Sequence, residues 1–100
     1  MRPGDAVAVI GLGGVGMAAL LGARAAGAER VVAVDIAPDK LAIARDLGAS
    51  DTFDARMDGV TEAIREATRG GVDHAIELAG SAAALRLGYG IVRRGGQLTT

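Results

Sequence analysis

Short apolar runs alternate along the chain with longer segments of helical period. Ala6–Ile10 and Val31–Val34 are continuous apolar stretches, too short for helices and suited to parallel strands covered on both faces. Between them, Gly14 to about Ala26 is rich in Ala, Leu and Met and stops at Gly27, as a helix does. Pro38 fits the first turn of a second helix and Asp39 its positive end, while Leu41, Ala44 and Leu47 form an inward stripe closed by Gly48. Asp51–Phe53 is a short third strand. Val60 to Thr68 turns Val60, Ile64 and Ala67 inward, and Gly70-Gly71 ends that helix. Val72–Leu78 is a fourth strand with Asp73, His74 and Glu77 as its polar members; His74 and Glu77 fall on opposite faces. Ser81 caps a helix running to about Tyr89, and Arg93-Arg94-Gly95-Gly96 makes a turn before a fifth strand at Gln97–Thr100. Such alternation predicts an α/β domain spanning 1–100, doubly wound, with a parallel sheet ordered 3-2-1-4-5. Its cleft should open at the carboxyl ends of the first and fourth strands.

The junction of the first strand and helix carries the chemistry. Gly11, Gly13 and Gly16 form G-x-G-x-x-G, and Asp35 ends the second apolar run nineteen positions beyond Gly16. Each part serves dinucleotide binding in a Rossmann-type βαβ unit. Gly11 permits the tight turn, Gly13 lets backbone approach a pyrophosphate, and Gly16 lets the helix pack close to the sheet. The first helical N–H groups and the positive helix end then face the phosphates, with Gly14 and Val15 in that first turn. Asp35 falls where a carboxylate can accept both hydroxyls of an adenosine ribose. It therefore favours NAD over NADP, whose 2′-phosphate it would repel; Lys40 and Arg45 are the nearest cations in sequence that could meet such a phosphate.

Composition narrows the alternatives. Half the residues are hydrophobic, but Phe53 and Tyr89 are the only aromatics, so Ala, Val, Leu and Ile must build the core. The net charge is −1 with both signs interspersed, which offers no basic face to nucleic acid. Cysteine is absent and His74 is the single histidine, so these residues cannot assemble an ordinary zinc site. Ala6 to Ala23 carries no charge and mimics a membrane segment, but five glycines interrupt it and Gly11 divides it into strand-like and helix-like halves. No membrane partner and a cytoplasmic location are expected.

The run Gly4-Asp5-Ala-Val-Ala-Val-Ile-Gly11-Leu-Gly13-Gly14-Val-Gly16, then Ala26-Gly27-Ala28, Val34-Asp35-Ile36, Lys40, Ala44 and Leu47-Gly48-Ala49, resembles one known family. So do Gly70-Gly71-Val-Asp73, Glu77-Leu-Ala-Gly80 and Arg94-Gly95-Gly96. This is the cofactor domain of the medium-chain, zinc-dependent alcohol dehydrogenases, and the resemblance covers nearly the whole chain. It implies NAD as cofactor and oxidation of alcohols by hydride transfer to the nicotinamide. It also implies that Lys40 reaches the adenosine ribose and that Gly80 lies beside the cofactor. The family holds its zinc in a separate Cys- and His-bearing lobe, so zinc is expected only in that absent catalytic domain, the implied partner of this one. A sixth strand should follow the fifth, so the chain is expected to be a fragment truncated before it and inactive alone. The exposed edge of the fifth strand predicts association into a homo-oligomer.

Two other functions compete. A stand-alone NAD-sensing regulatory module would suit the length and the lack of a catalytic partner. An S-adenosylmethionine methyltransferase shares the glycine turn and ribose acid, but would leave the helix phosphate seat without a phosphate. Tyr89 is followed four residues later by Arg93, which departs from the Tyr-x-x-x-Lys of short-chain dehydrogenases.

Overall fold

Strands without polar side chains have no face to give to water, so the two apolar runs take the middle of the sheet. The computed structural model describes residues 2–100; residue 1 of the expected domain lies outside them. In chain order the elements are β1 (Ala6–Ile10), α1 (Gly14–Ala25), β2 (Arg30–Asp35), α2 (Pro38–Asp46) and β3 (Asp51–Asp54). They continue with α3 (Val60–Ala67), β4 (Val72–Glu77), α4 (Ala82–Ile91) and β5 (Val92–Thr99). All pairings are parallel and the order is β3-β2-β1-β4-β5, as the alternation predicts.

Two-residue alternation sends each strand's side chains to opposite faces. Val7 and Val9 of β1 pack with Val31 and Ala33 against Leu20 and Ala23 of α1 and Ala44 of α2. Ala8 and Ile10 pack with Val32 and Val34 against Ile64 of α3 and Leu87 and Ile91 of α4. Leu20, Ile64 and Ile91 are fully buried, each contributing roughly 1.5–3 kcal/mol of transfer free energy. Aliphatic layers thus do what aromatics do elsewhere; Tyr89 lies exposed on α4. The uncharged stretch Ala6–Ala23 is divided between β1 and α1, and among the described residues no helix is long and apolar enough to cross a membrane.

The carboxyl-terminal segment departs from expectation. Arg93–Gly96 is not a turn ahead of β5 but a wide bulge inside it, because Val72 pairs with Val92 while His74 pairs with Gln97. Asp73 anchors the bulge: its carboxylate accepts the Ala6 N–H at 2.7 Å and also pairs with the Arg93 guanidinium. Asp5 meets His74 Nε2 at 3.1 Å at the same, amino-terminal end of the sheet, which gives His74 a structural role.

Candidate functional site

At the carboxyl ends of β1 and β4 the chain leaves in opposite directions, α1 to one face and α4 to the other. That divergence opens a cleft, and a cavity of about 560 Å³ lies there, within the range of small-molecule sites. Gly11, Asp35, Ile36, Arg56, Ala79 and Ser81 are among the residues lining it.

The turn from β1 into α1 is built by close approach. Gly11 has φ +98°, and a Cβ there would lie 2.7 Å from the Ala79 nitrogen. The turn and the β4–α4 loop are therefore packed backbone to backbone. A Cβ on Gly16 would lie 2.0 Å from the Gly11 carbonyl oxygen, so α1 rests directly on the turn. Gly13 and Gly14 differ: nothing lies within 4 Å of where a Cβ would stand. Their open side leaves the backbone of the turn uncovered. No side chain caps α1 at Gly13, and α2 and α3 likewise start without a side-chain cap; at α4, Ser81 Oγ accepts the Ala84 N–H at 3.0 Å. The orphan N–H groups of α1 remain available to an anion. Val15 is 70% exposed and, like Gly13, Gly14 and Gly16, is not among the residues lining the cavity.

Asp35 holds the floor. Its Oδ2 accepts the Leu12 N–H at 2.7 Å, and its Oδ1 accepts the N–H groups of Ile36 at 2.7 Å and Ala37 at 3.0 Å. Burial is the largest single influence on its carboxyl and pushes it up. The amides of Leu12, Ala37 and Ile36, with the charge of Lys40, together outweigh that and hold it below the ordinary Asp value. Lys40 lies in the first turn of α2, exposed and close enough to act on Asp35, but does not line the cavity. Gly80 does not line it either; its flanking residues Ala79 and Ser81 do. Gly80 instead donates its N–H to the buried carboxylate of Glu77 at 2.7 Å, which fixes the β4–α4 loop.

Arg45 is directed to Thr52 Oγ1 at 2.6 Å and takes no part in lining the cavity. Two cations line the cavity and were missed in the sequence: Arg86 of α4 and, beside Ile36, Arg56. The Arg56 guanidinium pairs with Asp54, at 3.2 Å from Nη2 to Oδ2, and Nη2 also donates to the Ile36 carbonyl at 3.1 Å. The Asp54 pairing raises the Arg56 pKa further above its already high value. Ile36, whose exposed side chain lines the same wall as Arg56, and Ala55 were missed with them. A signal existed: once β3 is placed beside β2, the residues after β3 must border those after Asp35. Among the described residues no group of three or more His, Cys, Asp or Glu is arranged to hold a metal ion.

Comparison with known proteins gives one consistent result. Residues 14–100 match a family of proteins described as zinc-binding dehydrogenase. Alcohol dehydrogenase class-2 isozyme 2 of Oryctolagus cuniculus is 48% identical over 88 residues, covering 86% of this chain and 23% of that protein. Among solved structures, an alcohol dehydrogenase zinc-binding domain protein from Burkholderia ambifaria superposes with a TM-score of 0.93 at 43% identity. The match covers 97% of this chain and 26% of that one. Alcohol dehydrogenase TADH from Thermus sp. ATN1 does so with a TM-score of 0.93 at 39% identity, over 99% of this chain and 29% of that one. The chain thus spans about a quarter of the length of the relatives it matches.

Proposed function

The chain belongs to the zinc-binding dehydrogenase family, and from that we propose that its cleft binds NAD for an alcohol dehydrogenase whose catalytic zinc is held by residues outside these hundred. The observation that carries the proposal is the uncapped start of α1 over the open Gly13–Gly14 cradle, tied to Asp35 through Leu12. A pyrophosphate fits that cradle because it needs donors and no side chains. The adenosine ribose then falls at Asp35 and the base in the cavity beside Ile36 and Arg56. The nicotinamide half extends toward the β4–α4 loop at Leu78–Gly80. When bound, the nicotinamide supplies the hydride acceptor for oxidation of an alcohol; these residues hold and orient it.

Counting acceptors refines the ribose site. A carboxylate has about four lone-pair positions. Three are taken by amides, which leaves one on Oδ2 for a single ribose hydroxyl. The other hydroxyl goes to the Lys40 ammonium. The match along nearly the whole chain, rather than at the glycine turn alone, favours this function over a free-standing regulatory module.

Calorimetric titration with NAD and NADP tests the proposal. A hydrogen bond to a charged group contributes about 1.5–3 kcal/mol, so NAD should bind roughly ten- to hundredfold more tightly. Asp35→Ser should weaken NAD and narrow or reverse the preference, with Arg56 and Lys40 as the cations nearest a 2′-phosphate. Equal affinities, unchanged by the substitution, would show that Asp35 does not read the ribose.

A further inference from the structure

We propose that Asp35 is also the positioning residue of the phosphate turn: by holding the Leu12 amide it shapes the cradle, and it couples the pyrophosphate seat to the ribose seat through one side chain. The clamp stands on geometry alone; only the coupling rests on the ribose assignment above.

The Leu12 N–H bond to Asp35 Oδ2 spans 23 residues of sequence and, at 2.7 Å, has the length of a charge-assisted bond. It acts on the middle of the turn, between Gly11 and Gly13. On one side of it, Gly11 donates its N–H to the Val34 carbonyl at 2.9 Å. Beneath it, the Leu12 side chain is 2% exposed and belongs to the core under α1. Leu12 is therefore pinned by its side chain below and by Asp35 at its amide, and this sets where Gly13 and the first N–H groups of α1 point. Asp35 is rigid enough for the task because its other oxygen is fixed by Ile36 and Ala37. The remaining acceptor site lies on Oδ2, the same oxygen that holds Leu12. A ribose hydroxyl arriving there meets a carboxylate already committed to the turn, so one rigid group orients both halves of the ligand.

Simple electrostatics predicts the opposite sign for phosphate binding. Removing a carboxylate near the seat removes repulsion of phosphate and should tighten it. Loss of the clamp should weaken it, because the turn must then be ordered by the ligand itself.

ADP and 2′,3′-dideoxy-ADP, which lacks both ribose hydroxyls, are titrated into the wild-type chain, Asp35→Asn and Asp35→Ser. Asn keeps the volume, but its single acceptor oxygen cannot serve both the Ile36–Ala37 pair and Leu12, so it also releases the clamp. Amide hydrogen exchange is followed at Leu12, with Gly11 as internal control. Dideoxy-ADP should bind both variants at least threefold more weakly than wild type. Leu12 exchange should quicken at least tenfold while Gly11 changes little. Dideoxy-ADP affinity that is unchanged or tighter, or Leu12 protection that survives the substitutions, overturns the clamp. Ribose binding is read separately, as the extra loss for ADP over dideoxy-ADP: its absence with the dideoxy loss intact would refute the ribose role and leave the clamp standing.

Discussion

Alanine at Gly16 should damage the fold, although alanine at Gly14, two residues earlier in the same helix, should not. In a helix, Gly→Ala normally stabilises by about 0.4–1 kcal/mol through the unfolded chain and helix propensity. At Gly14 nothing opposes that gain, since the space around the missing Cβ is open to 4 Å. At Gly16 the new Cβ would stand 2.0 Å from the Gly11 carbonyl oxygen and 3.0 Å from its carbon. Close carbon–oxygen contacts begin near 3.3 Å, so about 1.3 Å of movement is required. The turn cannot supply it: the Gly11 N–H is bonded to Val34, and Gly11 is packed against the Ala79 backbone. Helix α1 must lift instead, loosening Leu20 and Ala23 on the sheet. Overpacking of this kind costs about 1–3 kcal/mol and, taken at the middle of both ranges, outweighs the helix gain by about 1.3 kcal/mol. Urea unfolding reads this directly, with a slope of about 1–3 kcal/mol per molar for small domains. The Gly16→Ala midpoint should fall by about 1 M while Gly14→Ala stays level or rises. A Gly16→Ala midpoint at or above wild type would refute the claim that helix and turn are in contact.

Acid should unfold the chain through its tethered carboxyls. The Ala6 amide, more than the Arg93 guanidinium, holds Asp73 below its ordinary value, and Asp35 is likewise lowered. Groups depressed in the folded state contribute stability that is complete above the unfolded value of about 3.9 and lost as pH falls through the folded one. Melting curves from pH 6 to pH 2 should therefore decline mainly below about pH 4; if Asp73→Asn leaves that decline as steep, Asp73 is not a source of it. Ser81→Ala removes the α4 cap and should cost about 0.5–2 kcal/mol, a fall of several degrees in Tm by calorimetry. An unchanged Tm would mean the cap contributes nothing. A hundredfold excess of NAD over Kd should stabilise the chain by about 2.7 kcal/mol. Reduction of NAD by the purified chain with an alcohol would contradict the placement of catalysis outside these residues.

Local chemistry alone determined a large share of this molecule. Ala6–Ile10, Val31–Val34 and the glycines between them declare strand, turn, helix and strand, because apolar period and the steric freedom of glycine act within a few residues. The sheet order followed, since right-handed crossovers leave few ways to stack such units. Asp35 was legible as the acid at the end of β2. What it touches was not: the Leu12 amide reaches it only after β1 and β2 lie side by side, 23 residues apart in sequence. Arg56 was invisible for the same reason, as it borders Asp35 only when β3 pairs with β2. Arg45, nearer to Asp35 in sequence, was carried by the turn of α2 to Thr52 instead. The bulge at Arg93–Gly96 reads locally as a turn; only the parallel partner β4, with Asp73 anchored to Ala6 and Arg93, draws it into a strand. Sequence specifies what each backbone segment can do. Which side chains share a site depends on distances that exist only once the sheet has closed around them.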